Sequence, residues 1–265
     1  MPSLENEKTE LLFWKDPYLV EFEAKIIEKA EKGLVLDKTA FYPEGGGQFS
    51  DEGYFLLPNN EKIQIEKTEK INGKIIHVIT RKDLLKIEIG IKIKGKINWE
   101  KRYNIMKAHT SQHILSAMIV KNANIETTKA IISDEDVIIH LAKKIPNELL
   151  KKSIIETNTL LLTGISIESN FFTKDNLSKH IKGKLRGNID NISTENLRVV
   201  SVKGVDHSLC GGTHVKNTSE IGFLAVVDFK GDIIRYKFGE HAIDFNATLN
   251  VETISTAKLL ASKSE

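Results

Sequence analysis

Four side chains with metal-binding chemistry stand in two pairs of the same spacing, His109 with His113 and Cys210 with His214. On a helix, positions i and i+4 share a face, so the imidazoles of His109-Thr110-Ser111-Gln112-His113 can reach one ion. The second pair, Cys210-Gly211-Gly212-Thr213-His214, runs through two glycines, which suits a turn better than a regular helix. One thiolate and three imidazoles form a tetrahedral donor set for Zn²⁺, one ion per chain. Either pair alone is a weak signal. Together, nearly a hundred residues apart, they predict a site that ties an early helix to a late turn.

Such a site has a structural and a catalytic reading. Four protein ligands without an open position usually mark a structural zinc, but structural pairs mostly begin from Cys-x-x-Cys, and this chain has one thiol. Ligand type therefore leans toward a zinc that touches substrate, with the structural reading kept open. A buried histidine core without metal would suit one lone histidine, not two spaced pairs. The first helix lacks His-Glu-x-x-His, so no general base is built in beside the metal. A phosphate-binding Gly-x-x-x-x-Gly-Lys, a serine nucleophile elbow and a dinucleotide fingerprint are also absent from the sequence. His77, His140, His180 and His241 are scattered and read as structural or surface residues. His207, three residues before Cys210, reads as loop surface.

The elements that must position these residues fall into two patterns. Up to about Trp99 the chain reads as short strands. Tyr18 to Ile26 alternates, Gly33 to Leu36 and Lys62 to Lys67 follow, and Asn72-Gly73 signals a hairpin into Lys74 to Ile79. Lys86 to Ile97 reads as one long alternating strand. Little helix and many strands predict a small barrel or rolled sheet. Within this half, Asp37 to Gly53 holds Gly45-Gly46-Gly47, whose composition alone favours a plain glycine turn.

After Trp99 the pattern becomes mixed. Arg102 to Val120 is predicted as helix, Val137 to Leu141 as strand, and a helix opens at Pro146-Asn147 and stops near Gly164. Ile165 to Phe172 and Leu197 to Val202 read as strands, and Ile221 to Phe229 with Ile233 to Phe238 as a hairpin. Thr173 is placed as the cap of a basic helix carrying Lys174, Lys179, Lys182, Lys184 and Arg186, and Val251 to Ser264 as a short terminal helix. The basic helix reads first as a solvated face and second as an RNA-phosphate contact. The fold class is therefore α+β, with an N-terminal β-barrel domain over 1–98 and a zinc-binding α+β domain over 99–265.

Bulk numbers bound the setting. There are 38 Lys and Arg against 36 Asp and Glu, so the net charge of +2 predicts no general affinity for nucleic acid. A single cysteine excludes an intramolecular disulfide and suits a reducing cytoplasm. The polar start Met1 to Lys8 is unlike a signal peptide, and no apolar run approaches the ~20 residues of a membrane-spanning helix. Neither membrane nor DNA is an expected partner.

Several stretches together resemble a known family. Arg102 with His109-Thr110-Ser111-Gln112-His113-Ile114-Leu115, Cys210-Gly211-Gly212-Thr213-His214-Val215, Thr218-Ser219-Glu220-Ile221-Gly222, the strand bearing Arg235, and Ala40 to Gln48 with Asp51 and Gly53 are similar, in order and spacing, to the alanyl-tRNA editing proteins. These are free-standing relatives of the editing domain of alanyl-tRNA synthetase, which has a counterpart in threonyl-tRNA synthetase. The resemblance runs from about Leu11 to Phe245. It implies the medium-length type with an N-terminal barrel, the long type being set aside by length. It also implies no aminoacylation of tRNA by this chain.

What the resemblance implies for function is zinc-dependent, ATP-independent hydrolysis, in trans, of the ester on mischarged tRNA(Ala). Serine is the expected main substrate, glycine a second, and Ala-tRNA(Ala) is spared. Metal ligands would be His109, His113, Cys210 and His214, with no other catalytic residue. The substrate pocket would draw on Thr39, Gly45, Gly46, Gly47, Gln48, Gln112, Thr127 and Thr128, with the glycine loop folded over it rather than serving as a plain turn. Between the histidines this chain has Thr-Ser-Gln where synthetase domains often carry Thr-Ala-Thr. Two alternatives stay open: a zinc-stabilised RNA-binding module without hydrolytic activity, and a zinc hydrolase of another small ester or amide.

Overall fold

A computed structural model describes residues 9–181, 185–187 and 196–262. Met1 to Lys8, Lys182, Lys184 and Ser264, all named in the sequence reading, lie outside the described residues, as does the side chain of His180. The chain is α+β and divides into two compact units, Met1–Met106 with Gly211–His214, and Lys107–Cys210 with Val215–Glu265. Each is taken by itself. Among the described residues no helix is long and apolar enough to cross a membrane.

The first unit contains β1 (Glu10–Leu11), α1 (Leu12–Lys15), β2 (Glu21–Ala30), β3 (Gly33–Leu36), β4 (Lys38–Thr39), β5 (Gly53–Leu56), β6 (Lys62–Ile65), β7 (Lys67–Ile71), β8 (Lys74–Val78), α2 (Arg81–Lys86) and β9 (Lys92–Ile97). Seven strands form an antiparallel sheet in the order β6-β5-β9-β2-β3-β8-β7. Of the expected small barrel or rolled sheet, the strands form a rolled sheet: the end strands β6 and β7 do not pair with each other among the described residues. They are nevertheless consecutive in the chain, separated by Glu66 alone. A sheet whose two ends are one residue apart must curl, and the bulge in β2 between Ile26 and Glu28 supplies the bend. Inside the roll lie Phe22, Ile26, Leu34, Leu36, Phe41, Phe55, Ile63, Ile65 and Ile93. Gly95 sits opposite Phe22, where a Cβ would come within 2.4 Å of the Phe22 ring.

The long strand expected over 86–97 is shorter. Thr80 caps α2 by accepting the Asp83 N–H at 3.2 Å, and β9 begins only at Lys92. Apolar alternation misleads there because Ile87 is buried while Ile89 is 59% exposed.

Polar side chains are buried here as well, among them Thr39, Thr68 and His77. His77 is fully buried, with Nδ1 at 3.0 Å from the Leu34 carbonyl and Nε2 at 2.8 Å from Thr39 Oγ1. A carbonyl only accepts, so Nδ1 carries the proton and the Thr39 hydroxyl donates to Nε2. Thr39 Oγ1 in turn accepts the Phe41 N–H at 3.1 Å.

The second unit holds the greater part of α3 (Trp99–Ala123), then β10 (Thr127–Ile132), β11 (Val137–Leu141), α4 (Asn147–Leu162), β12 (Ile167–Thr173), α5 (Lys174–His180), β13 (Leu185–Arg186), β14 (Asn196–Val202), β15 (Asp206–Leu209), β16 (Leu224–Phe229), β17 (Ile233–Phe238) and α6 (Gly239–Ser262). Its two sheets run β10-β11-β17-β16 and β12-β14-β15-β13. From Ala108 to Ile119 helix α3 is buried on all sides, as expected of a central helix rather than a surface one. The basic helix is cut short at His180, and Arg186 stands on β13 because its guanidinium pairs with Asp206. Helix α6 starts well before the expected terminal helix. Its apolar residues Ile243, Leu249, Val251, Ile254 and Leu259 are exposed and make no buried stripe that periodicity could reveal.

Burial pushes the His77 pKa down to about 4 from its ordinary 6.5. The unfolded chain therefore takes up a proton at 6.5 that the folded chain refuses until about pH 4. The stability contributed by neutral His77 is complete above 6.5 and is lost as pH falls toward 4, at up to ~1.4 kcal/mol per pH unit. Urea unfolding across that range is expected to show a shallower loss for His77→Gln than for the parent. Equal slopes would contradict this role.

Candidate metal centre

Helix α3 carries His109 and His113 one turn apart, their rings edge to face at 5.1 Å. The three residues between them hold the helix in place. Thr110 Oγ1 accepts the Val215 N–H at 3.3 Å, and Ser111 Oγ, which donates to the Ala108 carbonyl, lies 3.1 Å from the Tyr236 hydroxyl. Gln112 Nε2 donates to Ser116 Oγ at 2.8 Å, and Ser116 Oγ is 2.7 Å from Thr127 Oγ1.

Cys210 follows β15 and is held by its neighbour strand from both sides of the peptide. Its N–H donates to the Arg198 carbonyl at 3.1 Å, and its carbonyl accepts from Arg198 Nη1 at 2.8 Å. The turn that follows is pinned residue by residue. Trp14 Nε1 donates to the Gly211 carbonyl at 2.7 Å, and Gln48 grips Thr213 twice. In that grip the Thr213 N–H donates to Oε1 at 3.0 Å, and Nε2 donates to Thr213 Oγ1 at 3.0 Å.

The result is a compact donor set. One ligand atom from each of His109, His113, Cys210 and His214 lies within 4.8 Å of the others. Cys210 Sγ is 3.4 Å from His109 Nε2. Burial lowers the pKa of His109, which keeps its imidazole neutral as a ligand must be. Burial pulls His113 the same way, yet the negative charge of Cys210 and Asp206 outweighs it and raises that group. The chemistry of the donors, their burial and their charge all fit a metal ion.

The remaining expected pocket residues fall into two groups, one in each unit. Gln112 and Thr127 share the hydrogen-bonded row through Ser116, while Thr128 is exposed and donates to the His140 carbonyl at 3.1 Å. In the first unit, Thr39 is committed to His77, and the buried Gln48 amide is committed to Thr213. Gly45 and Gln48 exchange backbone hydrogen bonds around a tight turn, with Gly46 and Gly47 at φ of 61° and 84°. The turn reading from composition is therefore locally right. Its tip, Gly45 to Gly47, is exposed.

Sequence reading missed three residues around the donors, namely Asp206, Arg186 and Arg198. For Asp206 a signal existed, since Asp206 and Ser208 alternate along β15 onto one face, in step with Cys210 just beyond its end. His207 points the other way, with Nδ1 at 2.8 Å from Ser201 Oγ.

Two family models match parts of this chain. Residues 7–101 match the family model of tRNA synthetases class II (A), and residues 197–235 match that of the threonyl and alanyl tRNA synthetase second additional domain. The particular resemblance is to alanyl-tRNA editing proteins. The chain is 37% identical over 224 residues to alanyl-tRNA editing protein AlaX-L of Pyrococcus horikoshii, covering 83% of this chain and 54% of that protein. It is 32% identical over 275 residues to an alanine–tRNA ligase of Methanococcus maripaludis, with 98% of this chain and 29% of the ligase covered. To the alanine–tRNA ligase of Saccharolobus islandicus it is 29% identical over 278 residues, covering 97% and 29%. The chain thus spans about half of the editing protein and under a third of each ligase.

Removing the thiol tests the donor set directly. Cys210→Ala is expected to weaken zinc binding by more than ~100-fold, beyond what loss of a supporting contact costs. Competition against a chromogenic chelator measures this, and an unchanged affinity would remove Cys210 from the set.

Proposed function

We propose that this chain is a zinc-dependent aminoacyl-tRNA deacylase that edits in trans, in the cytoplasm. Its substrate is tRNA(Ala) carrying serine, and secondarily glycine, and it spares Ala-tRNA(Ala). The observation that carries this reading is the cluster of three buried imidazoles and one half-buried thiol in a chain similar to alanyl-tRNA editing proteins. His109, His113, Cys210 and His214 would hold the ion. When bound, zinc supplies a Lewis acid for an ester carbonyl or an attacking water, so no protein nucleophile is required.

The harder task is telling serine from alanine, which differ by one hydroxyl. An apolar pocket separates such a pair poorly, whereas polar groups placed for the hydroxyl are left unpaired by alanine and so reject it. The row Gln112, Ser116 and Thr127 is such a set of polar groups, beginning one residue from His113. Thr128, Gly45, Gly46 and Gly47 are the further pocket candidates that the resemblance names. Thr39 and Gln48 belong to the same proposed set, Thr39 bonded to His77 and Gln48 to Thr213.

The alternative of a zinc-stabilised RNA-binding module predicts tRNA binding without turnover. Both are tested by incubating the protein with serine-, glycine- and alanine-charged tRNA(Ala) and following amino-acid release, with and without a chelator. Rapid release of serine, sparing of alanine and arrest by the chelator are expected. Survival of all three esters in the zinc-loaded protein would overturn the deacylase reading.

A further inference from the structure

Asp206 and Arg186 belong to no donor pair, yet they are bonded to each other and Arg186 is bonded to His113. Asp206 Oδ2 lies 3.5 Å from His113 Nδ1. The same oxygen accepts from Ser208 Oγ at 2.7 Å and from Arg186 Nη2 at 2.7 Å, while Oδ1 accepts from Arg186 Nε at 2.6 Å. Arg186 Nη2 also donates to the His113 carbonyl at 3.0 Å. One guanidinium therefore holds both the backbone of His113 and the carboxylate that faces its ring.

As a source of stability this arrangement is poor. The Asp206 side chain is 3% exposed, and removing a carboxylate and a guanidinium from water offsets most of what their attraction returns. It makes better sense as geometry. A ligating imidazole must present one unprotonated nitrogen to the metal and keep its proton on the other, and a carboxylate at the second nitrogen fixes both tautomer and ring angle. The parallel bridge of β13 to β15, Leu185 to His207 and Arg186 to Ser208, brings the guanidinium to that carboxylate.

We infer that Asp206, held by Arg186, is a positioning residue that keeps the proton of His113 on Nδ1 and aims Nε2 into the donor set. The inference rests on the donor set binding a metal, as proposed above, and its test needs no tRNA. The full chain is stripped of metal and titrated with Zn²⁺ against a chromogenic chelator, and its Co²⁺ form is followed by visible absorption. Two variants are compared with the parent, Asp206→Asn and the pair Asp206→Asn with Arg186→Gln, the second leaving no unpaired buried charge.

Zinc affinity is expected to fall by about 10- to 100-fold in both variants. The cobalt band should change, while the metal-free double variant melts close to the metal-free parent. Parent-like affinity and cobalt spectra in both variants would overturn the inference, as would an affinity loss accompanied by a matching drop in the melting temperature of the metal-free protein. Failure of the parent itself to bind zinc would instead overturn the proposed function along with it, and the two failures are distinguishable.

Discussion

A fully buried guanidinium organises the first unit. Arg102 is inaccessible to solvent, and so is the Asp51 carboxylate it grips. Its Nε lies 2.8 Å from Oδ1, Nη2 donates to the Ala40 carbonyl at 2.6 Å, and Nη1 donates to the Pro17 carbonyl at 2.9 Å. Asp51 also accepts the Tyr42 N–H at 2.5 Å. Ala40 precedes the glycine turn and Asp51 follows it, so one side chain ties both ends of that loop to the start of α3. Desolvating this pair is costly, and only the near-complete use of its donors and acceptors makes it tolerable. What it secures is position: the tied loop presents Gln48, and Gln48 holds Thr213 beside the candidate ligand His214.

The metal centre extends the same logic. Three of the four candidate donors are held by neighbours outside the set: His113 by Asp206 and Arg186, Cys210 by Arg198, and the segment leading to His214 by Gln48 and Trp14. Free side chains would lose rotamer entropy on meeting an ion, whereas these have lost it on folding. The same constraint accounts for why Thr110 and Ser111, between the two histidines, are fully buried rather than spare positions on a helix.

The donors were legible in the sequence because their spacing is local and their chemistry is unusual. Strand β2 was legible too, since its outward Glu21, Glu23 and Lys25 alternate with buried Phe22, Ala24 and Ile26. So was the Asn72-Gly73 hairpin, where both residues take positive φ. What could not be read depends on contacts between distant residues. Arg186 and Asp206 meet only because β13 and β15 run in parallel, and no period in the chain announces that pairing. The roll of the first sheet depends on which strands end up at its edges, which alternation within each strand cannot reveal. The full extent of helix α6 escaped because its apolar side chains stay in solvent.

The account stands on the donor set binding zinc through these four side chains. X-ray absorption at the zinc edge of the purified protein measures that shell directly. The account predicts three nitrogen neighbours at about 2.0–2.1 Å and one sulfur at about 2.3 Å. A shell without sulfur, or a protein that retains no zinc under saturating conditions, would contradict it.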